Sequence, residues 1–178
     1  ASGSSSPLWW SRDVGPVHVV SLCSYADASA GSLQYEWLLR DFAGLDREAT
    51  PWLVVMLHVP WYSSVKAHTA EGELMRREME PLFYAVGVDL VVTGHVHAYE
   101  RTVPMFEAEP NDCGPVHVTL GDGGNREGTV FGYRVPPPWS AFREPSFGAG
   151  WLTIENSTHA HFHWRRTGCE SANRADHI

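Results

Sequence analysis

Two short apolar runs, each ending in histidine, constrain this 178-residue chain more than any other feature. Residues Trp52 to Leu57 (WLVVML) lead into His58-Val59-Pro60. Residues Val88 to Thr93 (VDLVVT) lead into Gly94-His95-Val96-His97. Apolar runs this short, with little polar alternation, suit strands buried on both faces of a sheet. Such a sheet needs helices to cover it, and the neighbouring segments supply them. Between Ser32 and Leu45, Leu33, Trp37, Leu38, Phe42 and Leu45 recur near helical spacing, with Ser32 placed as N-cap. Between Glu71 and Val86, Leu74, Met75, Met79, Leu82 and Phe83 do the same, and Gly87 can end the helix. Residues Val14 to Leu22 (VGPVHVVSL) read as a strand, bounded by Gly-Pro. The order strand, helix, strand, helix, strand predicts an α/β layered sheet.

Further along, the sequence predicts a strand at Val116 to Leu120, a glycine-rich turn at Gly121 to Asn125, and a long proline-containing loop from Val135 to Gly150. Strands at Trp151 to Glu155 and His159 to Trp164 close the chain. There is no internal repeat and no sign of a second core, so residues 10–178 are expected to form one unit. Residues 1–9, opening Ala-Ser-Gly-Ser-Ser-Ser-Pro, are expected to be a flexible lead-in.

Composition narrows the partners. A hydrophobic share of 43% is enough for a core, and eight Trp with twelve Pro point to aromatic packing among loops. The net charge of −8 argues against nucleic acid, whose phosphates are met mainly by Lys and Arg. It does not exclude a small phosphate substrate, because a bound metal reverses the local field. No apolar run nears the roughly 18 residues a membrane span needs. The N-terminus has no signal-peptide apolar region. Three Cys without CxxC spacing (Cys23, Cys113, Cys169) argue against a thiolate zinc site and leave their pairing open. Asn156-Ser157-Thr158 is a glycosylation acceptor sequence.

The chemistry is expected at the strand ends, because ligands in open α/β sheets collect beyond the carboxyl ends of the strands. Were strand geometry to continue past Thr93, the rings of His95 and His97 would point to one side, about 6–7 Å apart at Cα. With His58 on the neighbouring strand, they form a candidate set of imidazole ligands for zinc, iron or manganese. His18 and His117 sit inside strand runs and read as structural. His159, His161 and His163 alternate and read as a solvated strand face, although that face offers imidazoles on one side. His177 falls in an expected frayed terminus.

The blocks His58-Val-Pro-Trp-Tyr-Ser-Ser64, His68, Glu71-Gly-Glu73-Leu-Met-Arg76 and Gly94-His-Val-His-Ala-Tyr-Glu-Arg101 resemble the purple acid phosphatases, which are binuclear metallophosphoesterases. The resemblance continues through Gly121-Asp-Gly-Gly-Asn125, Arg143-Glu-Pro-Ser-Phe-Gly148 and Asn156-Ser-Thr-His159. It implies the carboxy-terminal half of a metallophosphoesterase layered β-sandwich flanked by helices, an incomplete catalytic domain over residues 10–178. It implies His58 and His95 as ligands of a divalent metal (Zn, Mn or Fe) and His97 as a ligand of Fe(III). It implies His68 as the acid beside the phosphate, and Glu71 and Tyr99 as supporting residues. The implied substrate is a phosphate monoester, attacked by metal-activated hydroxide. The implied location is secreted or vacuolar, with Asn156 glycosylated and Cys113 matching a family disulfide cysteine.

The sequence departs from the family pattern in three places. Ala67 stands where many relatives carry a second His, and Ala149 stands where His often follows Ser-Phe-Gly. The motifs GDxG, GDxxY and GNH[DE], which bring the remaining ligands, have no counterpart before His58. The chain alone is therefore expected to be inactive or nearly so. A phosphodiesterase of the same superfamily and a non-catalytic module keeping half the fold are the competing readings. An open sheet edge leads to the further expectation of association into oligomers.

Overall fold

A computed structural model describes residues 3–68, 70–130, 132–168 and 174–178. The first strands are β1 (Trp10–Val14) and β2 (Val17–Ser21), paired antiparallel from Trp10↔Ser21 to Val14↔Val17. The single strand expected over Val14 to Leu22 is thus a hairpin. Gly15, at φ +56°, turns the chain back in a left-handed conformation open to glycine. The ordered chain also reaches into the expected lead-in, because Trp9 is buried among the helices.

Helix α1 (Leu33–Ala43) begins as expected, with the Ser32 hydroxyl accepting from Tyr35 N at 3.3 Å. Strand β3 (Trp52–Leu57) matches the first apolar run residue for residue. Helix α2 (Glu73–Val86) ends on Gly87 at φ 74°, the left-handed cap the sequence calls for. Strand β4 (Leu90–Thr93) is the second apolar run. Then follow β5 (Tyr99–Thr102), the two-residue pair β6 (Met105–Phe106) and β7 (Glu109–Pro110), and β8 (Val116–Leu120). Strand β9 (Ser140–Glu144) lies inside the expected long loop. Its burial is only partial, so no apolar run marked it. The chain closes with β10 (Gly148–Ile154), β11 (Ala160–Arg166) and β12 (Arg174–His177). His177 is therefore paired in a sheet, opposite His163, and not frayed.

The large sheet runs β1-β2-β3-β4-β8-β5-β9, and β10-β11-β12 form a smaller one. Strands β2, β3, β4 and β8 are parallel, so their carboxyl ends share one edge. Side chains alternate across the sheet. Val20, Leu53, Val55 and Val91 face the helices, where they meet Trp37, Leu38, Met79 and Phe83. Val17, Val54, Leu90 and Val118 face the small sheet and meet Phe162 and Trp164. The result is the expected layered α/β sandwich, with helices on one side and a second sheet on the other. One sheet thus carries two apolar layers where the sequence suggests a single core.

His117 and His18 are structural, as their place in strands implied. His117 is wholly buried beside Trp61 and Tyr62, and burial, with the Arg76 charge nearby, pushes its pKa down to about 3. His18 joins β1 to α1, with Nδ1 2.6 Å from Asp13 and Nε2 3.0 Å from Asp41. Cys23 and Cys113 are free thiols, and Cys169 lies outside the described residues.

Candidate metal centre

The shared carboxyl edge of β3 and β4 positions the site. The two strand ends are tied together by Gly94 N donating to His58 O at 3.0 Å. The turn at His58 is held by Ser24, three residues past the end of β2, whose hydroxyl oxygen accepts from His58 N and Val59 N at 3.1 and 3.0 Å. Tyr25 places its ring 5.7 Å from that of His58. Sequence reasoning overlooked Ser24 and Tyr25. The signal was available: they lie just past β2, a third parallel strand ending at the same edge.

Strand geometry does not continue past Thr93. His95 adopts φ +61°, a strained conformation for a residue with a Cβ. Tight turns follow, with Val96 N on Gly94 O and Ala98 N on Val96 O, each at 2.7 Å. The two imidazoles of Gly-His-Val-His consequently meet different partners. His95 turns to His58, with Nδ1 3.2 Å from His58 Nε2, and its Nε2 lies 2.6 Å from Glu71 Oε2. His97 instead stands 3.8 Å from Glu127 and lines a groove of about 230 Å³ with Val65, Ala67 and Gly128.

His68, on the short 3-10 turn Lys66–His68, completes the first group. Its Nδ1 is 3.2 Å from Glu71 Oε1, and its ring centroid is 4.9 Å from that of His95. Glu71 precedes α2, and the approach is close. A Cβ on Gly72 would sit 2.7 Å from Pro60 O and 2.9 Å from the Trp61 ring. Only glycine lets the Glu-Gly-Glu segment pack this closely against Pro-Trp-Tyr.

Among the described residues, the group with three possible ligand atoms all within 4.8 Å of one another is His68, Glu71 and His95. His58 joins it through His95. Partial burial and the neighbouring His95 hold the His58 imidazole below its usual pKa, which favours the neutral form that ligates metal. Partial burial raises Glu71, but hydrogen bonds from His95 and His68 outweigh it and leave the carboxyl below the usual range.

These residues fit one divalent ion. Two imidazole nitrogens on a tetrahedral zinc, each bonded at about 2.0–2.1 Å, stand about 3.3 Å apart. The His58–His95 nitrogens are at 3.2 Å. The other nitrogen of His95 meets a carboxylate, the arrangement that fixes tautomer and ring direction in metal-bound histidines. No comparable set forms around His97 among the described residues. One implied metal is matched by its donors, and the second is not.

Tyr99 does not stand beside these histidines. It is fully buried between the sheets, its ring stacked on Trp164 at 4.7 Å and its hydroxyl donating to Asp176 at 2.8 Å. The whole Ala-Tyr-Glu-Arg segment is structural. Glu100 accepts from Ser64 N at 2.8 Å and from Ser140 Oγ at 2.7 Å, and Arg101 grips Asp176 with two bonds of 2.7 and 2.9 Å. The glycine turn backs the His95–His97 loop. A Cβ on Gly121 would fall 1.9 Å from Val96 O. Asp122 beside it is wholly buried and accepts from Trp164 Nε1 at 2.8 Å. Asn156 is exposed, its side-chain oxygen engaged by Thr158 and His159.

Comparison with known proteins agrees with this architecture. Residues 7–99 match the calcineurin-like phosphoesterase family, and residues 114–176 match the iron/zinc purple acid phosphatase-like protein C family. Purple acid phosphatase 18 of Arabidopsis thaliana is 53% identical over 99% of this chain, and purple acid phosphatase 1 of Ipomoea batatas is 41% identical over 100%. The structure of purple acid phosphatase PPD1 from yellow lupin (Lupinus luteus) superposes with a TM-score of 0.86 at 29% identity, covering 96% of this chain and 32% of that one. The chain spans 41% and 40% of the length of those Arabidopsis and Ipomoea relatives. It belongs to the purple acid phosphatase family of metallophosphoesterases.

Proposed function

We propose that this chain supplies the histidine side of a binuclear acid phosphatase site that hydrolyses phosphate monoesters. At this strand edge it holds one divalent metal by itself and does not complete the reaction. The observation that carries this reading is the His58–His95 pair at 3.2 Å, with His95 anchored on Glu71. A relative named as an Fe(3+)-Zn(2+) purple acid phosphatase, 41% identical over the whole chain, supports iron and a divalent partner as the metals of the complete site.

Bound metal supplies charge neutralisation and Lewis acidity at the phosphate. The protein residues do the rest. His58 and His95 present neutral nitrogens toward one point. Glu71 holds the proton of His95 on Nε2, so that Nδ1 stays free to ligate. His68, bonded to the same carboxylate, stands at the rim, where its imidazolium is placed to protonate a departing alkoxide. His97 is the ligand for the ferric ion, whose remaining donors lie in the motifs this chain lacks.

The test is hydrolysis of p-nitrophenyl phosphate at about pH 5, within the acidic range proposed for the complete enzyme. The 178-residue chain is expected to show none above the buffer rate in zinc and iron. Turnover comparable to a full-length relative would refute incompleteness. Secretion or vacuolar delivery and a glycan on Asn156 belong to the same proposal, and a mobility shift on deglycosylation of plant-expressed material tests the glycan.

A further inference from the structure

We infer that the outer face of the small sheet carries a second divalent-cation site, built from His161, His163 and His177 with Glu155. Alternation sets the face. Phe162 and Trp164 of β11 point inward and are buried, so His161 and His163 point out. Antiparallel register places His177 of β12 directly opposite His163. Opposed residues share a face with Cβ atoms about 4.5–5.5 Å apart. The rings of His161 and His163 lie parallel, 9° between planes, with centroids 6.1 Å apart. Glu155 Oε1 lies 3.1 Å from His161 Nε2.

This is a donor set of three imidazoles and one carboxylate on two adjacent strands and the turn that joins β10 to β11. His161 and Glu155 are 46% and 54% exposed at their side chains, so rotation about χ1 and χ2 meets little obstruction. A zinc ion held there requires the ring nitrogens to turn to a common point at about 2.0–2.1 Å, the zinc–imidazole distance. Nitrogen-rich sites of this kind select zinc or copper over magnesium or calcium, which require oxygen ligands. His159 stays outside the set, its Nδ1 engaged by the Thr158 hydroxyl at 2.9 Å.

The site has a structural consequence. Strand β12 also carries Asp176, which receives Tyr99 and Arg101 from the segment following His97. A metal joining His177 to β11 therefore clamps the strand that braces that segment. Binding to the folded state alone also stabilises it by mass action.

The experiment is zinc titration of the otherwise unaltered chain by calorimetry, beside the H161Q/H163Q/H177Q variant. The expected result is one fewer bound equivalent in the variant, with thermal stabilisation by zinc reduced. H161Q alone changes a half-exposed residue, so the fold is kept, and it is expected to weaken one class of zinc sites at least tenfold. An unchanged stoichiometry in the triple variant, or unchanged affinities in H161Q, overturns the proposal. Because His58, His95 and His97 are untouched, either outcome is independent of the phosphatase reading.

Discussion

Glu71 Oε2 lies 2.6 Å from His95 Nε2, while the other nitrogen of the same ring stands 3.2 Å from His58 Nε2. One imidazole is thus fixed by a carboxylate on one side and aimed at a second imidazole on the other. A residue supporting a metal ligand in this way usually contributes about 10–100-fold to metal affinity. E71Q is expected to weaken zinc binding at His58 and His95 by that factor while leaving the fold intact. H95A is expected to abolish binding there. Calorimetry in the H161Q/H163Q/H177Q background separates this centre from the outer face.

Asp122 gives the neighbouring turn a pH dependence. Burial raises its carboxyl to about 6, against the lowering effect of the Trp164 hydrogen bond. Between about pH 3.8 and 6 the folded chain keeps a proton that the unfolded chain has lost, so stability falls as pH rises through that window. The one-proton slope amounts to on the order of 3 kcal/mol across it. D122N, which keeps an acceptor for Trp164, is expected to remove that slope and raise the melting temperature at pH 7. Melting curves from acid to neutral pH check this.

His117 acts in the opposite direction. Its pKa is pushed down to about 3, so below the ordinary value of 6.5 the unfolded chain takes up a proton that the folded chain refuses. Stability contributed by the neutral ring is present above that ordinary value and is lost as pH falls toward 3, by on the order of 5 kcal/mol. H117F keeps an aromatic between Trp61 and Tyr62 and is expected to flatten this acid limb. With both H117F and D122N in hand, the two opposing slopes are read separately.

Among the described residues the large sheet has seven strands and the small one three, and part of the inner face is left exposed. Val14, Met56 and Leu152 are 56%, 41% and 38% exposed around an apolar groove of about 280 Å³. An apolar face of this kind beside an edge strand drives association. Size-exclusion chromatography of the chain is expected to show oligomers, and M56K to shift the population toward monomer. A monomer peak for both proteins would contradict that expectation.

The strands that form the sheet centre were legible because burial on both faces leaves an uninterrupted apolar run. Strand β3 is Trp52–Leu57 by either route. The hairpin at Gly15 was hidden because both of its strands flank a Gly-Pro that can bound a strand as well as turn it. Tyr99 shows the limit of motif reasoning: it follows His95 and His97 closely, yet strand alternation turns it into the core between the sheets. The divergence of His95 and His97 was not legible either. It depends on a left-handed residue, and nothing in a histidine's identity announces one. The resemblance pointed to His58, His68, His95 and His97, whereas only the folded chain shows which of them meet.

The central claim is that His58 and His95 together hold one divalent ion and that His97 stands apart from it. Zinc titration followed through the imidazole nitrogen resonances tests this directly, because each histidine reports for itself. The expected result is that the His58 and His95 signals shift together and saturate at the same zinc concentration, while His97 keeps its metal-free position. Unshifted His58 and His95 signals at saturating zinc, or a His97 signal that moves in step with them, would contradict the account.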